Sequence, residues 1–394
     1  MNGKVFGVLH MDDSNILPLA LTLVAISSFF SPTFEYRNVF RNQFFRLFLI
    51  LFLVYLFSAL INGNAATSWS MIIRKLSFIV VPLVVLGNRK FYLQKVKLLG
   101  LAYASGIFLA LTIMDIRAFF FVMEEGSIPT YGDYADVFHP TYFGLHLLLY
   151  MIYNFHQILT GEWNLKKLLF RFGLIVILIP HILLLLSKGV IISCTVVIAF
   201  YGVYLAIVSW RKLLLYIAVF GICGLSALLV VPVSDSATKM LKNRFKDLSN
   251  YEHDSGSTSF RAAMIKRSPE ILESGWLFGV GYGNETEFLD AYYERTDWKY
   301  ARLHSFNTHN QFLQTWLGLG VTGLFFLCVL MFGPFMMPIH LSMKLALFCY
   351  VFIFCTEAVL ERQAGIIVFM FFYSIFIAML AGNRRKKKRL LTFE

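Results

Sequence analysis

Charge is scarce in this chain. Only 15% of its 394 residues are Asp, Glu, Lys or Arg, where soluble domains carry about a quarter. That poverty, beside a hydrophobic content of 58%, argues against a water-solvated globule. Cysteine is limited to Cys194, Cys223, Cys328, Cys349 and Cys355, each in an apolar run. They have neither metal-ligand spacing nor an exposed loop for a disulfide, and are expected to be small packing residues. Close acidic pairs on the side later assigned as outer reduce to Asp12-Asp13 and Asp133/Asp136. Neither sits among clustered ligands, so solvated or capping carboxylates are expected, and no metal site. The first apolar run begins near Asn15 without a basic stretch or a small-residue cleavage site, so no cleavable signal peptide is expected. Internal repeats and low-complexity tracts are also missing, which leaves an inverted-repeat transporter without support.

What the chain has in abundance is apolar stretches of membrane-spanning length. In a bilayer only helices or closed barrels satisfy every backbone polar group. The stretches are continuous and do not alternate, so helices are predicted. Eleven candidate spans fall at about 15–31, 44–61, 72–87, 98–116, 140–159, 168–187, 189–209, 213–233, 310–332, 342–357 and 363–381. The expected architecture is an all-α polytopic membrane domain over 1–394 with about 11–12 transmembrane helices. A formal charge of +12 could indicate nucleic acid, but the basic residues cluster in short segments between apolar runs, as topology signals do. No nucleic-acid partner is expected; membrane lipids are.

The run Arg384, Arg385, Lys386, Lys387, Lys388, Arg389 should remain inside. Alternation then places Arg37/Arg41, Arg89/Lys90/Lys95/Lys97, Lys166/Lys167 and Arg211/Lys212 on the same side. Segments 117–139, 187–189 and 234–309 fall outside, as does the N-terminus. The outer segment 234–309 is far longer than a connector needs. Ser257-Thr258-Ser259 can cap a short helix there, with Lys266-Arg267 and Pro269 following. Gly279-Val280-Gly281-Tyr282-Gly283 is a glycine-rich turn that permits close backbone approach. The loop ends in His304-Ser305-Phe306-Asn307-Thr308-His309-Asn310.

His309 stands where this loop becomes a membrane helix. On a continuous helix, His309, Leu313 and Gly320 would share a face, and Gly318, Gly320 and Gly323 would admit a neighbouring helix. An imidazole there can serve as a general base; it can equally cap a helix or bind a headgroup, and position alone leaves both open. Arg74 and Lys75 are placed at an outer helix end, against the positive-inside trend, and so need an acidic partner or an anionic substrate. Arg362 has the same anomaly but stands beside Glu357 and Glu361, which points to a structural ion pair. His139 precedes Pro140, a normal first-turn residue, and is read as a cap with substrate contact as the alternative. Tyr282, Tyr292, Tyr293 and Trp298 could stack on sugars, though an interfacial aromatic belt is the commoner arrangement.

His309-Asn310-Gln311-Phe312-Leu313, with Gly320 seven residues after that leucine, resembles the signature of the O-antigen ligase family. Arg261, the segment Trp276-Leu277-Phe278-Gly279-Val280-Gly281-Tyr282-Gly283, and Asn307-Thr308-His309-Asn310 follow that family's order. The resemblance is specific over about 257–330 and weaker elsewhere, including Glu357 through Gly365. It implies a glycosyltransferase fold of the GT-C class, with a glycan on an undecaprenyl diphosphate carrier as donor and no cofactor. The acceptor would be lipid A-core or another glycan or protein, and the site would face the periplasm from a bacterial inner membrane. By the same resemblance His309 is the base and Arg261 a diphosphate contact, with Asn310 and His304 as possible support. Where the family has Ser-Arg-Gly this chain has Ser187-Lys188-Gly189; Lys188 keeps the charge without the bidentate fork, or snorkels at the interface. Arg74 is read as a further diphosphate contact.

The first functional reading is therefore an O-antigen ligase joining O-antigen to lipid A-core without divalent metal. An O-antigen polymerase or a protein O-oligosaccharyltransferase is the alternative with the same donor chemistry. A polysaccharide or lipid-linked-sugar transporter is the rival from another class, and a non-catalytic scaffold leaves the convergent cations and His309 unexplained.

Overall fold

A computed structural model describes residues 16–32, 34–62, 65–135, 139–230 and 257–391. Asp12, Asp13, Asp136 and the first part of the outer loop, 234–256, lie outside the described residues. The described chain is helical, without a strand. In chain order the helices are α1 (Ile16–Phe29), α2 (Tyr36–Phe40), α3 (Gln43–Asn62), α4 (Ala65–Lys75), α5 (Ser77–Gly87) and α6 (Arg89–Gln94). These are followed by α7 (Val96–Glu125), α8 (Pro140–Thr160), α9 (Leu165–Leu184), α10 (Lys188–Val208) and α11 (Trp210–Val230). Loop helices α12 (Ser257–Leu272), α13 (Glu285–Arg295) and α14 (Lys299–Leu303) precede α15 (Gln311–Phe332), α16 (Leu341–Phe354) and α17 (Gln363–Leu391). Each of the eleven apolar runs coincides with a helix or helix pair, and among the described residues seven segments are long and apolar enough to cross a membrane. The chain is a polytopic all-α membrane protein.

Two boundaries differ from the sequence expectation for physical reasons. The run placed at 98–116 continues as α7 to Glu125. Nothing breaks it until Gly126, whose φ of +66° ends the helix in the left-handed conformation glycine tolerates. The run placed at 72–87 begins earlier, because α4 and α5 join at Leu76 into a membrane-length segment from Ser68 to Gly87. Arg74 and Lys75 therefore sit inside that segment and not at its outer end. Hydropathy alone missed the first turns because the two cations interrupt the apolar run.

The chain divides into two compact units. The first comprises the described parts of 102–251 and 341–353. In its core Phe155 stacks on Tyr201 with ring centroids 4.3 Å apart. Lys212, which the charge pattern assigns to topology, is buried here. Its Nζ donates to the carbonyls of Ile158 (2.7 Å) and Gly161 (2.9 Å), satisfying acceptors left over at the end of α8.

The second unit comprises the described parts of 12–101, 252–340 and 354–394. In it α17 packs along α5 and α15 along α3. The loop helices carry a core of their own, centred on Phe260, Met264, Ile271, Tyr293, Trp298 and Leu317. Tyr292, Tyr293 and Trp298 are buried in it, and Tyr282 is buried beside Tyr55. All four are core residues of the folded loop, not belt or sugar-stacking residues as their composition indicated. Periodicity could not show this, since an aromatic looks the same in a loop core and at an interface.

The glycine turn meets α15 where that helix breaks. Gly320 has φ +68° and ψ −166°, values no helix contains. The break frees the Leu317 carbonyl and the Val321 amide, which would otherwise pair with each other. The loop satisfies both: Val280 N–H donates to Leu317 O at 2.8 Å, and Val321 N–H donates to Trp276 O at 3.0 Å. A side chain at Gly279 would strike the Gly318 backbone and one at Gly320 the Leu277 carbonyl, so the close approach admits only glycine. The partner admitted by Gly318 and Gly320 is thus loop backbone and Glu285 rather than a neighbouring helix.

Candidate active site

His309 is not on the helix whose face it was expected to share. It precedes α15 with φ +46°, and Asn310 is the N-cap. The local sequence explains the turn. Asn307 Oδ1 accepts the His309 N–H at 2.9 Å, closing an Asx turn. Asn310 Oδ1 accepts the Leu313 N–H at 3.0 Å and so starts α15. Between them the Thr308 Oγ1 hydroxyl and the Thr308 N–H both lie within bonding distance of Gln314 Oε1, at 3.0 and 3.2 Å. Phe306 and Phe260 press ring edges on the imidazole at centroid distances of 5.2 and 5.6 Å. The histidine is held by its backbone and walled by aromatics, yet remains half-buried.

Glu357, on the turn after α16, joins two of the expected site residues. Its Oε1 lies 3.3 Å from His309 Nδ1. Its Oε2 accepts from Arg261 Nη2 at 3.3 Å. Arg261 Nε also donates to Thr356 O at 2.7 Å, fixing the guanidinium from α12. Asn310 Nδ2 donates to Cys355 O at 3.3 Å, tying the same turn to the N-cap. A carboxylate can only accept, so its partner Nδ1 carries the proton and a neutral ring keeps Nε2 as the acceptor nitrogen. Cys355, expected inside an apolar run, is exposed on this turn.

A second carboxylate on the same stretch makes a sealed counterpart. Lys75 Nζ is 3.1 Å from Glu361 Oε1 and donates to Leu360 O at 2.5 Å, with only 1% of the lysine exposed. The ammonium also lies 4.5 Å from the Tyr55 ring centroid and 5.3 Å from that of Tyr282. Gln311 Nε2 donates to Glu361 Oε1 at 3.1 Å while its Oε1 accepts the Leu360 N–H at 2.6 Å. Lys75 thus has the acidic partner its position demanded. Glu361 and Glu357 make these pairs with Lys75, Arg261 and His309, beyond the neighbouring Arg362 to which the sequence assigned them. Arg362 itself is exposed.

Nearby, Glu285 is buried at the start of α13 and its Oε2 accepts the Gly283 N–H at 2.6 Å. Burial first, then the Glu361 charge, push its carboxyl up to about 8; the Gly283 amide and Lys75 pull the other way.

The remaining candidates fall elsewhere. Arg74 is exposed and makes no ion pair among the described residues. His304 is exposed on the loop, its Nδ1 2.9 Å from Tyr300 O. In the first unit, Lys188 is the first residue of α10 and His139 occupies the N-cap position of α8. These helix starts adjoin, since Thr141 Oγ1 meets Ser187 Oγ at 3.0 Å. His139 supplies no side-chain cap bond; its ring is tilted on Tyr142 at 4.8 Å. Glu357 is the residue that sequence reasoning placed with the wrong partner. Its only signal was the family-like stretch running from Glu357 to Gly365.

A family model described as O-antigen ligase matches residues 168–328 of the chain. The match takes in Lys188, Arg261, the glycine turn and His309. No curated protein matches the chain.

Proposed function

The chain belongs to the O-antigen ligase family, and from that premise we propose that it moves a glycan from a lipid-diphosphate carrier to an acceptor hydroxyl at the outer face of a bacterial inner membrane. The observation that supports this reading is the contact of one buried carboxylate, Glu357, with both His309 and Arg261. The donor is a glycan on undecaprenyl diphosphate, and the acceptor is the lipid A-core oligosaccharide.

In this reading His309 Nε2 draws the proton from the acceptor hydroxyl as its oxygen bonds to the anomeric carbon. The bond from that carbon to the carrier's diphosphate breaks, and its electron pair leaves with the phosphate oxygen. Glu357 on Nδ1 holds the ring in the required tautomer and stabilises the imidazolium that forms. Arg261 brings a permanent positive charge beside the reacting groups, where the departing diphosphate gathers negative charge. Lys188 and Arg74 add cationic charge for the donor, an assignment that rests on the sequence pattern. Cations take the place that a divalent metal holds in many sugar transferases.

The test is transfer from lipid-linked donor in proteoliposomes containing chelator. His309→Ala is expected to lose ~10²–10⁴ in rate, the usual contribution of a general base, while still binding donor. His304→Ala is expected to transfer normally. A dead His304→Ala beside an active His309→Ala would move the base to His304; abolition by chelator with rescue by magnesium or manganese would overturn the metal-free account.

A further inference from the structure

Irregular backbone at membrane depth survives only where protein satisfies its polar groups. The segment Trp276-Leu277-Phe278 of the outer loop meets that condition. Trp276 O accepts from Val321 N–H at 3.0 Å and from Trp316 Nε1 at 2.8 Å. Gly279 N–H donates to Gly275 O at 2.7 Å, and Val280 N–H is taken by Leu317 O. The segment is therefore strapped to α15 between Trp316 and Val321.

That attachment lies well along the helix. From the N-cap Asn310 to Val321 is about 16 Å of helix axis. Gln311, Gln314 and Thr315 fall in the stretch above it, and a predominantly apolar run begins at Leu317 and continues to Met336. About twenty such residues span a hydrocarbon core of ~30 Å. The strapped segment stands at the level where that run begins.

Its side chains do not turn inward. Trp276 is 57% exposed, Leu277 40% and Phe278 70%. Three consecutive large apolar residues facing water would be a costly arrangement, at roughly 25 cal/mol for each Å² left wet. Further along α15, Phe325 is also exposed, as a lipid-facing residue of a membrane helix should be. Exposed backbone satisfied by protein, exposed apolar side chains, and the start of a bilayer-length run coincide at one level.

We infer that Trp276, Leu277 and Phe278 dip into the outer leaflet and are covered by its acyl chains, so that the outer loop is anchored in the membrane at its glycine turn. The anchor would hold the loop helices, and α12 with Arg261 among them, at a set height above the bilayer.

The measurement needs no catalytic activity, so its failure and that of the proposed reaction are distinguishable. The full chain, with its native cysteines replaced by alanine and Phe278→Cys introduced, is labelled with an environment-sensitive fluorophore and reconstituted in phosphatidylethanolamine and phosphatidylglycerol vesicles. Phe325→Cys reports a lipid-facing position and Leu303→Cys an exposed position on the loop. The label at 278 is expected to lose most of its emission to lipid-borne nitroxide and little to iodide, following 325. Quenching that follows 303 overturns the inference, and so does quenching by neither, which would mean that polypeptide covers the segment. In the unsubstituted chain, a photoactivatable phospholipid is expected to crosslink to the peptide holding 276–278. Adducts on α15 with none on that peptide would likewise overturn it.

Discussion

Two ion pairs stand on one short stretch of chain, and they are opposites in use. Glu357 and Glu361 each hold a cation from a distant helix and each touch a residue at the entry to α15, His309 and Gln311 respectively. Around Glu361 everything is closed: Lys75 is buried, sandwiched by aromatics, and its carbonyl and carboxylate acceptors are both protein. Around Glu357 the carboxylate is buried but both partners, His309 and Arg261, remain half-buried. A sealed pair can only hold elements together. A pair with partially accessible partners can exchange them for substrate groups. Residue types and spacing are similar in the two; access separates them.

The comparison is broken most severely at the sealed pair. Lys75→Ala leaves Glu361 with its charge uncompensated, a loss of about 3–5 kcal/mol for a buried pair. Folded protein recovered from membranes should fall sharply. Replacing both residues together, Lys75→Met with Glu361→Gln, should recover much of the yield, because no unpaired buried charge remains. Equal yields for Lys75→Ala and wild type would show that the pair does not hold the unit together.

At the open pair the same kind of change should spare the fold and harm the reaction. Glu357→Gln keeps the shape and removes the charge that supports imidazolium, so transfer should fall by roughly tenfold or more with membrane yield near normal. The pH dependence of transfer should also move, a change that mere loosening of the turn does not produce.

A weaker effect is expected where cations serve only the donor. Arg261→Ala and Lys188→Ala should raise the donor concentration needed for half-maximal transfer, and Lys188→Arg should retain transfer, since the family pattern has arginine there. Unchanged donor dependence in a folded Lys188→Ala protein would remove that lysine from the reading.

The smallest effect belongs to Glu285. Its folded carboxyl, raised by burial from 4.5 to about 8, keeps a proton that the unfolded chain releases. Its contribution to stability is therefore present at the acid end and lost as pH rises through that interval. Thermal unfolding in detergent should show a slope of that sign, and Glu285→Gln should remove this part of it.

Much of this protein was legible without coordinates. Continuous apolar runs announced every membrane helix because bilayer thickness sets their length. The glycine turn and the Asn-Thr-His-Asn entry announced a special loop because glycine and asparagine are the residues that such backbone requires. His309 and Arg261 were identified from the order of those signals. Their partner was not: Glu357 is forty-eight residues beyond His309, and nothing local distinguishes it from Glu361.

What the tertiary structure decided is which groups are enclosed together. Lys75 read as a cation out of place until the fold supplied Glu361, and Tyr282, Tyr293 and Trp298 read as surface aromatics until the loop closed on its own core. The break of α15 at Gly320 is also a tertiary outcome, because its two freed backbone groups are tolerable only when the loop's own backbone pairs with them. Periodicity reports which residues avoid water along one helix. It carries no information about which distant residue shares their dry space, and that sharing determines the state of a buried charge.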